Sequence, residues 1–120
     1  MNSKANELAE RLKCFATRVV KFARALPTDG PAQATATQLT KSGTSEAANY
    51  HAARRGRSRD EFISKLAVAA EEADETENWF RIIADSRLVS TASALRELEW
   101  LSDESRQPRA NRAKSKSVDP

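Results

Sequence analysis

A chain of 120 residues with a formal net charge of +3 has room for one hydrophobic core, not two. Three Gly, four Pro and a composition rich in Ala, Glu, Leu, Arg and Lys argue against a sheet protein and for the all-α class. The single cysteine, Cys14, excludes an internal disulfide. No run approaches the roughly 20 apolar residues of a membrane span, and the polar opening MNSKANELAERLK lacks the apolar stretch of a secretory leader, so a reducing cytoplasm is the expected setting.

Leu8, Leu12, Phe15, Val19, Phe22 and Leu26 follow one another at intervals of 4, 3, 4, 3 and 4, which keeps them on one face of a helix over about 5–26. Ala16, Val20 and Ala23 widen this seam. The helix ends at Leu26 because Pro27 disfavours a helical conformation in the residue before it, and Asp29-Gly30-Pro31 prolongs the break. Lys21 and Arg24 suit the negative end of its dipole.

A second helix is expected over about 32–56, yet it has few large apolar residues. Gln38, Ser42, Ser45, Asn49, Ala52 and Gly56 form one line at 4, 3, 4, 3 and 4, flanked by Leu39, Ala47, Ala48 and Ala53. Small and polar residues on a core-facing line allow helix axes to approach closely, and they need hydrogen-bond partners if buried. The alternative is that this line faces water and the helix packs through Leu39, Ala47 and Tyr50. Asn49→Leu separates the two: a surface site changes stability by less than about 0.5 kcal/mol, a satisfied buried one by about 1 to 3.

The connection Arg54-Arg55-Gly56-Arg57-Ser58-Arg59 places four arginines around a Gly that can end one helix and a Ser that can begin the next. Its shortness makes the second and third helices antiparallel neighbours. The third helix, about 58–84, opens with a capping box of Ser58 and Glu61, and Asp60 complements the positive end of its dipole. Phe62, Leu66, Ala69, Ala73, Thr76, Phe80 and Ile83 form its apolar face. Glu72, Glu75 and Trp79 run beside that face, either solvated or, for at least one carboxylate, buried and paired. The two polar lines give a specific expectation, a structural network in which Ser42, Ser45 and Asn49 pair with Glu72 or Glu75 across a helix interface.

A fourth helix is expected over about 89–105, carrying Ala92, Leu95, Leu98, Trp100 and Leu101. From Arg106 to Pro120 there are five cations (Arg106, Arg109, Arg112, Lys114, Lys116) against one anion (Asp119), a net of +4, so the other 105 residues of this +3 chain sum to −1. The organisation expected is a bundle over 1–107 and a disordered basic tail over 108–120, which has too few large apolar residues to offset the entropy of ordering.

Gln38-Leu39, Ser42 with Ser45, Asn49-Tyr50, Arg55-Gly56-Arg57-Ser58, Glu61-Phe62-Ile63, Lys65-Leu66, Glu72, Asp74-Glu75-Thr76 and Trp79 together resemble the bacterial four-helix bundle proteins known as 23S rRNA-intervening sequence proteins. The resemblance runs from about Leu12 to Ile83. It departs at Ala52, where the family usually carries a Glu three residues after the Asn, and at Arg54, where a small residue is more common. It implies an antiparallel up-and-down four-helix bundle and a subunit of a cone-shaped homopentamer. Some relatives are encoded within insertions in ribosomal RNA genes, and others are similar to the accessory protein of diversity-generating retroelements, which associates with a reverse transcriptase.

The function expected is non-enzymatic association with RNA or DNA through Arg54, Arg55, Arg57 and Arg59, whose guanidinium forks suit phosphate, and through the basic tail. The competing account pairs these arginines with acids of the third helix or of a neighbouring subunit. A second function is a protein-binding scaffold that holds a partner enzyme such as a reverse transcriptase without touching nucleic acid. An enzyme is disfavoured: His51 is the only histidine and has no nearby Cys, and no phosphate-cradling glycine loop or nucleophile elbow occurs. Glu71, Glu72, Asp74, Glu75 and Glu77 could supply oxygen ligands, but the Glu-x-x-His pairs of metal-binding bundles are missing. No catalytic residue, metal or cofactor is expected. Tyr50, Trp79, Trp100 and several Leu exceed what a small bundle can hide, which favours self-association.

Overall fold

The computed structural model describes residues 3–107, and the expected tail, 108–120, lies outside them. Four helices follow one another: α1 (Ser3–Arg24), α2 (Gly30–Arg54), α3 (Arg59–Asp85) and α4 (Ala92–Ser105). Each packs against its neighbours in the chain, and α4 closes the ring against α1, giving an up-and-down four-helix bundle.

The helix ends follow local chemistry. α2 starts at Gly30, two residues earlier than expected, because Asp29 is its N-cap and accepts from the Ala32 N–H at 3.1 Å, with Pro31 in the first turn where a missing N–H costs nothing. The expected break therefore contains the start signal of the helix. α3 begins after Ser58, whose hydroxyl accepts from the Glu61 N–H at 3.1 Å, while Glu61 reaches back to the Arg57 N–H at 2.6 Å. α3 ends with Arg87 in the left-handed region at φ 56° and the Leu88 N–H donating to the Ile83 carbonyl at 3.2 Å, the pattern of a Schellman cap. α4 starts at Ala92 rather than 89, capped by Thr91, because Leu88 and Val89 fold onto the core as loop residues.

The core forms two clusters. The larger holds Phe15, Val19, Phe22, Leu26, Leu39, Phe80, Ile83, Leu98 and Leu101, with Phe80 meeting Phe15 and Phe22 edge to face at 6.4 and 6.2 Å between centroids. The smaller holds Leu12, Tyr50, Ala53 and Leu66 at the end where α2 turns into α3. α1 and α2 approach closely at Gly43, where a Cβ would lie 2.6 Å from Val19 Cγ1.

α4 is tied to α1 by two forked ion pairs. Arg11 bonds Glu104 through Nε at 2.6 Å and Nη2 at 3.2 Å, and Arg18 bonds Glu97 through Nε at 3.0 Å and Nη2 at 2.6 Å. The Arg18 guanidinium also lies 3.5 Å from the centre of the Trp100 ring. Arg106 reaches Glu77 of α3 at 3.4 Å and pairs with Asp103 of its own helix.

Candidate nucleic-acid interface

The four arginines of the α2–α3 turn divide into distinct roles. Arg54 turns toward α1: its Nη2 donates to Asn6 Oδ1 at 2.6 Å and its Nη1 lies 3.5 Å from the Ala5 carbonyl, which the Tyr50 hydroxyl also approaches at 3.5 Å. Its partners are neutral oxygens of the first helix, not acids of the third. Burial raises the Tyr50 pKa above its ordinary value, and the Arg54 charge offsets part of the rise.

Arg55 caps α2 through its backbone N–H, which donates to Ala52 and Ala53, leaving the side chain exposed. Arg57 and Arg59 are exposed as well. Neither Arg55 nor Arg57 forms an ion pair among the described residues. The glycine between them serves space rather than handedness. Gly56 does not adopt a positive φ, and a Cβ there would stand 3.1 Å from the Ala53 carbonyl and 3.3 Å from Glu61 Oε1. The turn thus leaves the Arg55, Arg57 and Arg59 side chains exposed at one end of the bundle.

The expected polar network forms differently. Ser42 is buried against α3, and its partner is Thr76, with 3.0 Å between the hydroxyl oxygens and 2.7 Å from Thr76 Oγ1 to the Glu72 carbonyl. Ser45 and Asn49 are half-buried and donate within α2, to the carbonyls of Lys41 at 2.6 Å and Ser45 at 2.9 Å. Glu75 is exposed and Glu72 half-buried, and neither accepts from Ser42, Ser45 or Asn49. Burial, with Glu75 beside it, holds the Glu72 carboxyl above its ordinary pKa, and Lys41 opposes the shift.

The physical reason is phase. The buried line of α2 is Leu39, Ser42, Gly43, Glu46, Tyr50 and Ala53, so Ser45, Asn49 and Ala52 stand to one side of it, at the rim of the α2–α3 seam. Glu46, only 1% exposed, was not among the expected core residues. A signal was present: Leu39 and Tyr50, the two large apolar side chains of α2, are three helical turns apart, and Gly43 and Glu46 fall between them on the same face.

His51 and Cys14 are exposed. Among the described residues no group of three or more His, Cys, Asp and Glu could hold a metal ion, and no helix is long and apolar enough to cross a membrane. Of the aromatic residues expected to be too many for the core, Tyr50 is buried, Trp79 half-buried and Trp100 exposed.

A family model described as 23S rRNA-intervening sequence protein matches residues 4–107. Among solved structures, the chain is similar to the crystal structure of a protein with unknown function from the S23 ribosomal protein family of Bacteroides thetaiotaomicron VPI-5482. The identity is 26%, the TM-score 0.80, and the alignment covers 98% of this chain and 99% of that one. No curated protein shows a significant match to the chain.

Proposed function

The chain belongs to the 23S rRNA-intervening sequence protein family, and on that premise we propose that it is a non-enzymatic, self-associating bundle protein that holds nucleic-acid backbones through the α2–α3 turn. The observation that supports this reading is the exposure of Arg55, Arg57 and Arg59 at a turn, with Arg55 and Arg57 outside any ion pair among the described residues. Fixed forks of this kind bind phosphate without reading bases, so binding is salt-dependent and largely sequence-independent. Arg54 supports the turn rather than the ligand, since its guanidinium is engaged with Asn6 and the Ala5 carbonyl. In a homopentamer the turn recurs five times and the cationic segment after Arg106 adds to each copy, so weak contacts sum by avidity.

Fluorescence anisotropy with labelled RNA and DNA at roughly 50 to 300 mM salt tests the reading. The affinity falls linearly with salt on logarithmic axes, and Arg55→Ala and Arg57→Ala each lower the slope by about one. A protein that binds neither polymer at low salt, yet co-purifies with one polypeptide in the presence of nuclease, is a protein scaffold, and the nucleic-acid reading is then wrong. Light scattering tests the assembly, and a monomeric mass removes the avidity argument.

A further inference from the structure

We infer that α4 is a latched strap, which opens from α1 and α3 as a unit while the other three helices stay folded, under the control of its arginine forks. Its apolar anchorage is small. α4 buries Leu98, Leu101 and Ser105, whereas Leu95 and Trp100 remain 47% and 37% exposed. α1, α2 and α3 bury five, eight and six residues, and elements with few buried contacts are those that open below the global unfolding free energy.

The rest of the attachment is electrostatic, and its arginines reach the surface. The Arg11 and Arg18 side chains are 47% and 36% exposed, and they hold Glu104 and Glu97, which are 12% and 31% exposed, across the α1–α4 seam. Pairs whose arginine lies in solvent are each worth a factor of about 2 to 5 in an equilibrium constant. Salt screens them over about 10 Å at 0.1 M. The connection from α3 adds to the bias. Arg87 holds φ 56°, a region that side chains other than Asn and Asp seldom adopt, at the point where the chain leaves α3 for α4.

Opening withdraws Leu98 and Leu101 from the cluster that contains Phe15, Phe22, Phe80 and Ile83. The strap therefore covers an aromatic face between α1 and α3, and the forks at its outer edge decide how often that face is uncovered. This opening requires no nucleic acid.

Native-state hydrogen exchange on the full chain tests it, comparing the Leu98 and Leu101 amides with those of Leu39, Leu66 and Phe80 at about 50 and 500 mM NaCl. The α4 amides are expected to show an opening constant at least tenfold larger than the others, rising a further threefold to tenfold at the higher salt while the others stay within about twofold. Arg18→Met keeps the aliphatic stem but removes the fork. It should raise α4 opening by about tenfold at low salt and weaken the salt response, the Arg11–Glu104 fork keeping the remainder. Equal opening constants for α4 and for Leu39 and Phe80, with the same salt response, would overturn the inference. The salt series on the unaltered chain decides the matter even if the variant fails to fold.

Discussion

Gly43→Ala probes the close approach of α2 to α1. The added methyl carbon would sit 2.6 Å from Val19 Cγ1 and 3.2 Å from both Cβ and Cγ2. Carbon atoms rest at about 3.5 to 4.0 Å, so the helices must part by about 1 Å or Val19 must rotate. Rotation is costly, because a β-branched side chain on a helix has one strongly preferred χ1 and Val19 is 0% exposed. Two opposing effects set the net change. Replacing a mid-helix glycine by alanine gains about 1 kcal/mol in propensity, whereas overpacking a filled core costs about 1 to 3. A loss of about 1 to 2 kcal/mol is expected, since parting α1 from α2 also loosens the packing beside Val19. In a domain of this size that lowers Tm by about 5 to 15 °C. Urea unfolding of Gly43→Ala, Val19→Ala and the double variant measures it, with the double less destabilised than the sum of the singles. If Gly43→Ala instead stabilised the protein by about 1 kcal/mol and added independently to Val19→Ala, the close approach would be refuted.

Thr76→Val keeps the volume but leaves the Ser42 hydroxyl with only the Leu39 carbonyl at 3.4 Å, and it should cost about 1 to 2 kcal/mol in denaturant unfolding, non-additively with Ser42→Ala. Asn49→Leu should change stability by less than about 0.5 kcal/mol, because Asn49 is half-buried and bonded within its own helix; a loss above 1 kcal/mol would mean that its amide matters across the seam. Glu72 has a raised pKa in the folded state, so folding favours its protonated form and its charge opposes folding above that pKa. Glu72→Gln should therefore raise the urea midpoint at pH 7. The gain should fade as pH falls through the raised folded pKa and vanish below the ordinary glutamate value of about 4.3; a pH-independent gain would assign the effect to packing instead.

How far the fold could be read before seeing it differs between helices for a physical reason. In α1, Leu12, Phe15, Val19 and Phe22 are buried as their spacing requires, with Leu8 half-buried and Leu26 buried two residues past the helix end at Arg24, and in α3 the line from Leu66 to Ile83 is buried even at the polar Thr76. Large side chains at regular intervals fix the rotation of a helix because turning it would expose them. α2 lacks that constraint. With alanines, serines and threonines on every side, its rotation is set by what its partners demand, namely room for Val19 at Gly43 and a hydroxyl for Thr76. The expected strip therefore fell to one side of the real one, and the only shared member is Ser42. The arginine turn was legible as a basic cluster, but the separate employment of Arg54 was not, because Ala5 and Asn6 lie 49 and 48 positions away in the chain.

That long-range tether makes the beginning of the polypeptide part of the electrostatics at the opposite end of α2. Trimming the chain back to Glu7 would delete both acceptors and hand the turn another unrestrained guanidinium. On the proposed nucleic-acid reading, a shortened protein should then grip polyanions more tightly than the full chain.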